Sequence, residues 1–224
     1  PLFRMIEEMV PFGRKTAQRL YGAKGWVAHH NTDLWRQCGP IDLTPTGMWP
    51  MGSAWLCLHF RDRWQFRRDK RELERFYPVV KESVRFYLDF LIPDAKNPDL
   101  LVTNPSYSPE QGGLCAAPTM DVGILKALFA FAIEASEILG DDPAFRAQVR
   151  KTADRLPPFR VGSWGQLREW MDEHPLDNPD NKHRHVSHLF AVFPGNVIRA
   201  SDEELFAAAR KSLDARGDEA TGWS

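Results

Sequence analysis

Cysteine is scarce in this chain. Cys38, Cys57 and Cys115 are the only three among 224 residues. They form no C-x-x-C pair, and their odd, wide spacing supports no disulfide framework. No run approaches the roughly 20 apolar residues that span a bilayer. Neither sign of charge dominates: 29 Lys and Arg against 30 Asp and Glu leave a formal net charge of −1, which argues against a general nucleic-acid or membrane-surface binder. The basic clusters from Arg61 to Arg75 and from Arg146 to Arg155 are interleaved with acids and read as solvated helix faces. No Met precedes Pro1, no secretory leader opens the chain, and Leu2-Phe3-Arg4-Met5 already reads as helix. The end at Thr221-Gly222-Trp223-Ser224 is as abrupt, so both ends read as cut from a longer protein. There is no convincing internal repeat and little strand-like alternation.

What is present is a helical pattern. With 43% hydrophobic and 26% charged residues, the composition is that of a soluble globular domain, or one large piece of a bigger one. Helices are expected at Leu2 to Leu20 (disturbed at Pro11), Met51 to Phe66, Glu72 to Leu91, Met120 to Leu139, Asp142 to Leu156, Val186 to Phe193 and Ser201 to Gly217. Pro78 should lie in the first turn of the third or mark its true start. Gly140 ends the fourth. Asp142-Pro143 is a cap and first-turn pair opening the fifth. Ser201 and Glu204 read as a capping box opening the last.

The connections alternate in length. Residues 21–50, 92–119 and 157–185 are long, whereas 67–71, 140–142 and 194–200 are short. Unstructured loops beyond about 12–15 residues are uncommon in compact domains and are mostly functional or disordered. These are rich in Trp, His, Asn and Gly rather than in polar repeats. If successive helices run antiparallel, the three long loops share one rim. That is the layout of an all-α toroid of helix pairs with its site on one face.

Each long loop carries a constellation. In the first, Gly25-Trp26-Val27-Ala28-His29-His30-Asn31-Thr32-Asp33-Leu34-Trp35 sets five hydrogen-bonding side chains between aromatics, which suits a polyhydroxylated ligand. Adjacent histidines diverge, so one of the two should face it. The same loop ends at Met48-Trp49-Pro50-Met51-Gly52, where Trp49 can form a sugar platform. The second holds Asn104-Pro105-Ser106-Tyr107-Ser108-Pro109-Glu110, a carboxylate at the end of a run of turn formers. A general acid for glycoside cleavage must arrive protonated, with Tyr107 and the prolines as an apolar wall. The third holds Gly165-Gln166-Leu167-Arg168-Glu169-Trp170, whose Glu169 rivals Glu110, and then His183-Arg184-His185-Val186-Ser187-His188. H-x-H-x-x-H lacks the glutamate of a zinc-protease helix. Sugar-hydroxyl contacts fit His185 and His188 better than a metal does, and no cofactor is called for. Of the eight tryptophans, Trp55 and Trp64 read as core filling. Trp26, Trp35, Trp49, Trp164, Trp170 and Trp223 stand in or beside Gly- and Pro-rich loops, where stacking on sugars competes with loop anchoring.

Together these motifs, with Arg216-Gly217-Asp218 and Thr221-Gly222-Trp223-Ser224, resemble glycoside hydrolase family 95, best known for inverting α-L-fucosidases. The resemblance covers nearly the whole chain. It implies an (α/α)6 barrel, truncated at both ends, and a secreted or periplasmic setting. It implies Glu110 as the general acid and sugar contacts from Trp49 and His30; Asn31, Glu169, His185 and His188 are further candidate substrate contacts. The substrate would be a fucosylated oligosaccharide or polysaccharide. The family activates water with an asparagine of an Asn-x-Asn motif, polarised by an aspartate. That motif belongs upstream of Pro1, and Asp218 is the nearby candidate for the aspartate. Residues 1–224 alone are therefore expected to be inactive. The alternatives are an α-L-galactosidase of the same family, a non-catalytic glycan-binding homologue, and a metalloprotein using His183, His185 and His188.

Overall fold

The computed structural model describes residues 1–219. Among the described residues six α-helices carry the fold: α1 (Leu2–Tyr21), α2 (Gly52–Arg67), α3 (Lys70–Phe90), α4 (Thr119–Leu139), α5 (Pro143–Ala153) and α6 (Glu203–Arg216). The 186–193 segment is a short 3-10 helix, Ser187–Ala191. The all-helical expectation misses four short strands in the second long loop: β1 (Ile92–Pro93) pairs antiparallel with β2 (Leu101–Val102), and β3 (Ser106–Ser108) with β4 (Gln111–Cys115). All three residues of β3 are buried, so no in–out alternation marks it.

The helix ends follow local chemistry. Gly22 and Gly140 close α1 and α4 in the left-handed conformation that a side chain disfavours. The Asp142 carboxylate accepts the Phe145 N–H and opens α5, as its sequence predicts. Three expectations fail. The third helix begins at Lys70, where the Asp69 carboxylate accepts the N–H groups of Arg71 and Glu72, and Pro78 sits well inside it. Packing of Leu73, Phe76, Tyr77 and Val80 outweighs the backbone bond that proline removes. The box at Ser201 does not form: Asp202 precedes α6 and its carboxylate accepts the Arg199 N–H instead. Pro11 likewise leaves α1 continuous.

Almost entirely apolar, α4 lies against α2, α3, α5 and the 3-10 helix. Around it Trp26, Phe60, Phe86, Tyr87, Phe129 and Phe131 are buried in one core, each worth about 1.5–3 kcal/mol of apolar transfer. A smaller core of Leu167, Ala191, Ile198, Ala208 and Ala209 ties the third long loop to α6. The start of α2 is fixed twice. Tyr87 O–H donates to the Pro50 carbonyl at 2.9 Å. Gly52 N–H donates to the Ala28 carbonyl at 2.9 Å. A Cβ at Gly52 would stand 2.3 Å from the His29 carbonyl oxygen, so only glycine lets the first long loop lie this close.

Candidate active site

The first loop holds its two histidines differently, but both border the same cavity, where one alone was expected to face a ligand. His29 is buried, and its Nδ1–H donates to the Cys38 carbonyl at 2.8 Å, which leaves Nε2 to accept the Tyr21 O–H at 2.6 Å. Burial holds its imidazole below the usual range, so it is a neutral strut. His30 is partly exposed, with Nε2 3.1 Å from Asp42 Oδ2 and a buried Nδ1 that has no protein partner. Asn31 follows on the surface.

Glu110 is one of the two residues that turn β3 into β4, since Ser108 pairs with Gln111 across it. Its side chain is 42% exposed, paired with Arg184, and 3.5 Å from His185 Nε2. Ser187 O–H donates to the Pro109 carbonyl, which binds the third long loop to this turn. Tyr107 is buried beside it. Glu110 is thus less enclosed than its apolar neighbours suggested.

Behind the hairpin lies a second carboxylate. Glu169 is 1% exposed. It accepts Ser108 O–H at 2.7 Å, Gln111 Nε2–H at 3.0 Å and Arg216 Nη2–H at 2.7 Å. Burial pushes its carboxyl up to about 7, against the pull of Ser108 and Arg216. His188 Nδ1 lies 3.4 Å away, and burial together with Arg216 holds that imidazole down to about 3, hence neutral. The Gly112 backbone packs closely against the Trp170 indole, where a Cβ would come within 2.7 Å of the ring.

Two adjoining cavities open on this face. The smaller, about 470 Å³, is lined by His30, Asn31, Thr46, Trp49, Trp55, Tyr107 and Glu110, among others. The larger, about 1330 Å³, runs past Glu110 along Arg184, His185, Ser187 and Phe190 to α6. Glu110, His30 and Trp55 belong to both walls. All three long loops therefore meet at one place, as their alternation predicted. A concave site with apolar walls and a few convergent polar groups is the usual form of a small-molecule site.

The chain as a whole, residues 1–224, matches the model of the glycosyl hydrolase family 95 catalytic domain. The chain belongs to glycosyl hydrolase family 95. Among its relatives are Alpha-L-fucosidase 2 of Arabidopsis thaliana, 40% identical over all of this chain, and Probable alpha-fucosidase A of Aspergillus niger, 30% identical over 98% of it. A second Probable alpha-fucosidase A, from Aspergillus oryzae, is 24% identical over 95%. The chain spans only 28%, 30% and 22% of the respective relatives' lengths.

Within this family 95 domain, His30, Asn31, Trp49, Glu110 and His185 line the cavities. Glu169 and His188, expected to touch sugar, line neither and are buried beneath the acid hairpin. Of the three histidines of the third loop, His183 and His185 stay together, with ring centroids 5.5 Å apart and His185 facing Glu110, whereas His188 turns away to face Glu169. Among the described residues no group of three or more His, Cys, Asp or Glu could hold a metal ion. Asp218 is exposed just past α6, while Trp223 and Thr221-Gly222-Trp223-Ser224 lie outside the described residues. Trp26 is an anchor, its Nε1–H donating to the Val79 carbonyl at 3.0 Å. Trp170 is buried against His174, and Trp35 is 72% exposed. Trp55, assigned to the core, does pack against it and is also a wall of both cavities. Its helical position hid this, because the first turn of α2 is part of the rim.

Asp121 escaped the sequence reading altogether. It lies in the first turn of α4, fully buried, and accepts Trp49 Nε1–H at 3.2 Å and Thr103 O–H at 2.7 Å. It therefore ties the cavity's Trp49 to Thr103, in the segment that leads from β2 to the β3–β4 hairpin. Burial pushes its carboxyl from 3.8 up to about 7. Between those values the folded protein keeps a proton that the unfolded chain has lost. The resulting stability is complete below about pH 4 and lost as pH rises through 7. Asp121→Asn removes this titration while keeping an acceptor for Trp49. At about 1.4 kcal/mol per tenfold change in proton affinity, wild type should lose on the order of 2–4 kcal/mol relative to the variant between pH 4 and pH 8. Urea unfolding across that range checks it, and parallel curves for the two proteins would refute it.

Proposed function

We propose that this chain carries the acid side of an inverting α-L-fucosidase active site. The observation that supports this most directly is the place of Glu110. Its carboxyl stands where a pocket of about 470 Å³ meets a cleft of about 1330 Å³. A terminal α-L-fucosyl residue fits the pocket, with His30 and Asn31 for its hydroxyls and Trp49 and Trp55 for its apolar face. The remaining glycan follows the cleft. The scissile bond then crosses the wall they share, and Glu110 is placed to protonate the glycosidic oxygen. His185 faces the same carboxylate from the cleft side. The relatives named as α-fucosidases favour fucose as the sugar. On this reading the protein is built as an (α/α)6 barrel, of which the helices seen here are one part. Water would be activated from the opposite ring face, with Asp218 as the carboxylate on that side within this chain.

Proton NMR of the complete protein acting on an α-L-fucosyl oligosaccharide tests this. L-fucose should appear first as the β-anomer and then mutarotate. The α-anomer appearing first would refute inversion. Release of sugar only from the matching L-galactoside would refute the fucosyl preference.

A further inference from the structure

We propose that Glu169 is the positioning residue for the general acid, gripping the turn that presents Glu110 on both sides. This rests on the acid role proposed above. Each oxygen of the Glu169 carboxylate takes a different flank. Oε1 accepts Ser108 O–H at 2.7 Å, and Oε2 accepts Gln111 Nε2–H at 3.0 Å. Only Pro109 and Glu110 lie between those two residues. With both flanks fixed, the point at which Glu110 leaves the hairpin is fixed too.

The grip is itself braced. Gln111 cannot turn its amide, because Asn181 Nδ2–H donates to its Oε1 at 2.9 Å and so orients Nε2 toward Glu169. Arg216, from the last turn of α6, holds Oε2 at 2.7 Å. The Glu169 backbone is anchored as well: its carbonyl accepts Thr119 N–H at 3.0 Å at the start of α4, and its N–H donates to Asp177 Oδ2 at 3.2 Å. Glu169 is enclosed and borders neither cavity, so it has no route to substrate. Its charge acts on the reaction only through the hairpin. Misplacing a reacting group by about 1 Å can cost on the order of 100-fold in rate.

The test separates proton delivery from everything else. An α-L-fucosyl oligosaccharide has a poor leaving group and needs the acid, whereas α-L-fucosyl fluoride expels fluoride without one. In the complete enzyme, Glu169→Gln should lower kcat/KM on the oligosaccharide about 100-fold and on the fluoride only a few-fold. Ser108→Ala and Gln111→Ala, each releasing one flank, should show smaller losses with the same selectivity, and they carry the test if Glu169→Gln does not fold. The double variant Glu110→Gln/Glu169→Gln should be no slower on the oligosaccharide than Glu110→Gln alone, since a positioning residue has nothing left to position. Equal losses on both substrates, or a double variant slower by the product of the single effects, would overturn the proposal. Wild type that cleaves neither substrate would overturn the fucosidase reading and this inference with it.

Discussion

Glu110→Gln in the complete enzyme should reduce hydrolysis of an α-L-fucosyl oligosaccharide by about 100- to 10,000-fold, the usual worth of a positioned general acid. The substitution keeps the shape and the acceptor oxygen of the side chain but has no proton to give. Binding of free L-fucose, measured by calorimetry, should hardly change, because the proposed hydroxyl and stacking contacts are made by other residues of the cavity wall: His30, Asn31, Trp49 and Trp55. Stability should hardly change either. The Glu110 side chain is 42% exposed and that of its partner Arg184 is 49% exposed, and exposed ion pairs are worth about 0–1 kcal/mol. A collapse of activity without a fall in Tm is therefore the signature of a chemical role. Full activity on the oligosaccharide would exclude Glu110 as the acid. Glu169 would be a poor substitute, since it is sealed from both cavities.

Arg216→Met should be the most destabilising single change around the site, by about 3–5 kcal/mol at pH 8, the cost of leaving one member of a buried ion pair behind. The side chains of Arg216 and Glu169 are only 8% and 2% exposed. Methionine fills similar volume, so the loss reports charge rather than a cavity. The sign with pH follows from Glu169. Burial already pushes its carboxyl up to about 7, and removing the cation pushes it higher. The penalty is present where the unfolded carboxylate is ionised and fades as pH falls far enough to protonate the folded one. The gap between variant and wild type should therefore be wide at pH 8 and narrow toward pH 5 in urea unfolding. A difference under about 1 kcal/mol at both pH values would show that the pair does not hold Glu169 as described. Activity should fall with stability in this variant, which is why the leaving-group comparison rests on Glu169, Ser108 and Gln111 instead.

Much of this site is legible in the linear chain. Glu110 at the end of a proline-bounded turn, the polar cluster around His30 and Asn31, and Trp49 before a helix are local patterns, and they line the cavities as expected. Helix ends at Gly140 and Asp142 are equally local, because each depends on one residue's backbone preference or one side-chain cap. Where a tertiary contact competes, the local signal loses. Pro78 is absorbed into α3 by the core it packs against, and Asp202 gives its carboxylate to Arg199 rather than to a capping box.

The division between Glu110 and Glu169 shows the boundary most clearly. Both are carboxylates in long loops among aromatic and turn-forming residues, and composition cannot rank them. The contacts that separate them reach across the chain, 61 residues to Ser108, 58 to Gln111 and 47 to Arg216. Sequence alone determined the helices, the three long loops, their convergence on one rim, and the family resemblance that the comparisons bear out. Only the tertiary structure decided which carboxylate meets the cavity and which is buried behind it. Burial and charge pairing are properties of the assembled environment, set by neighbours that folding brings together.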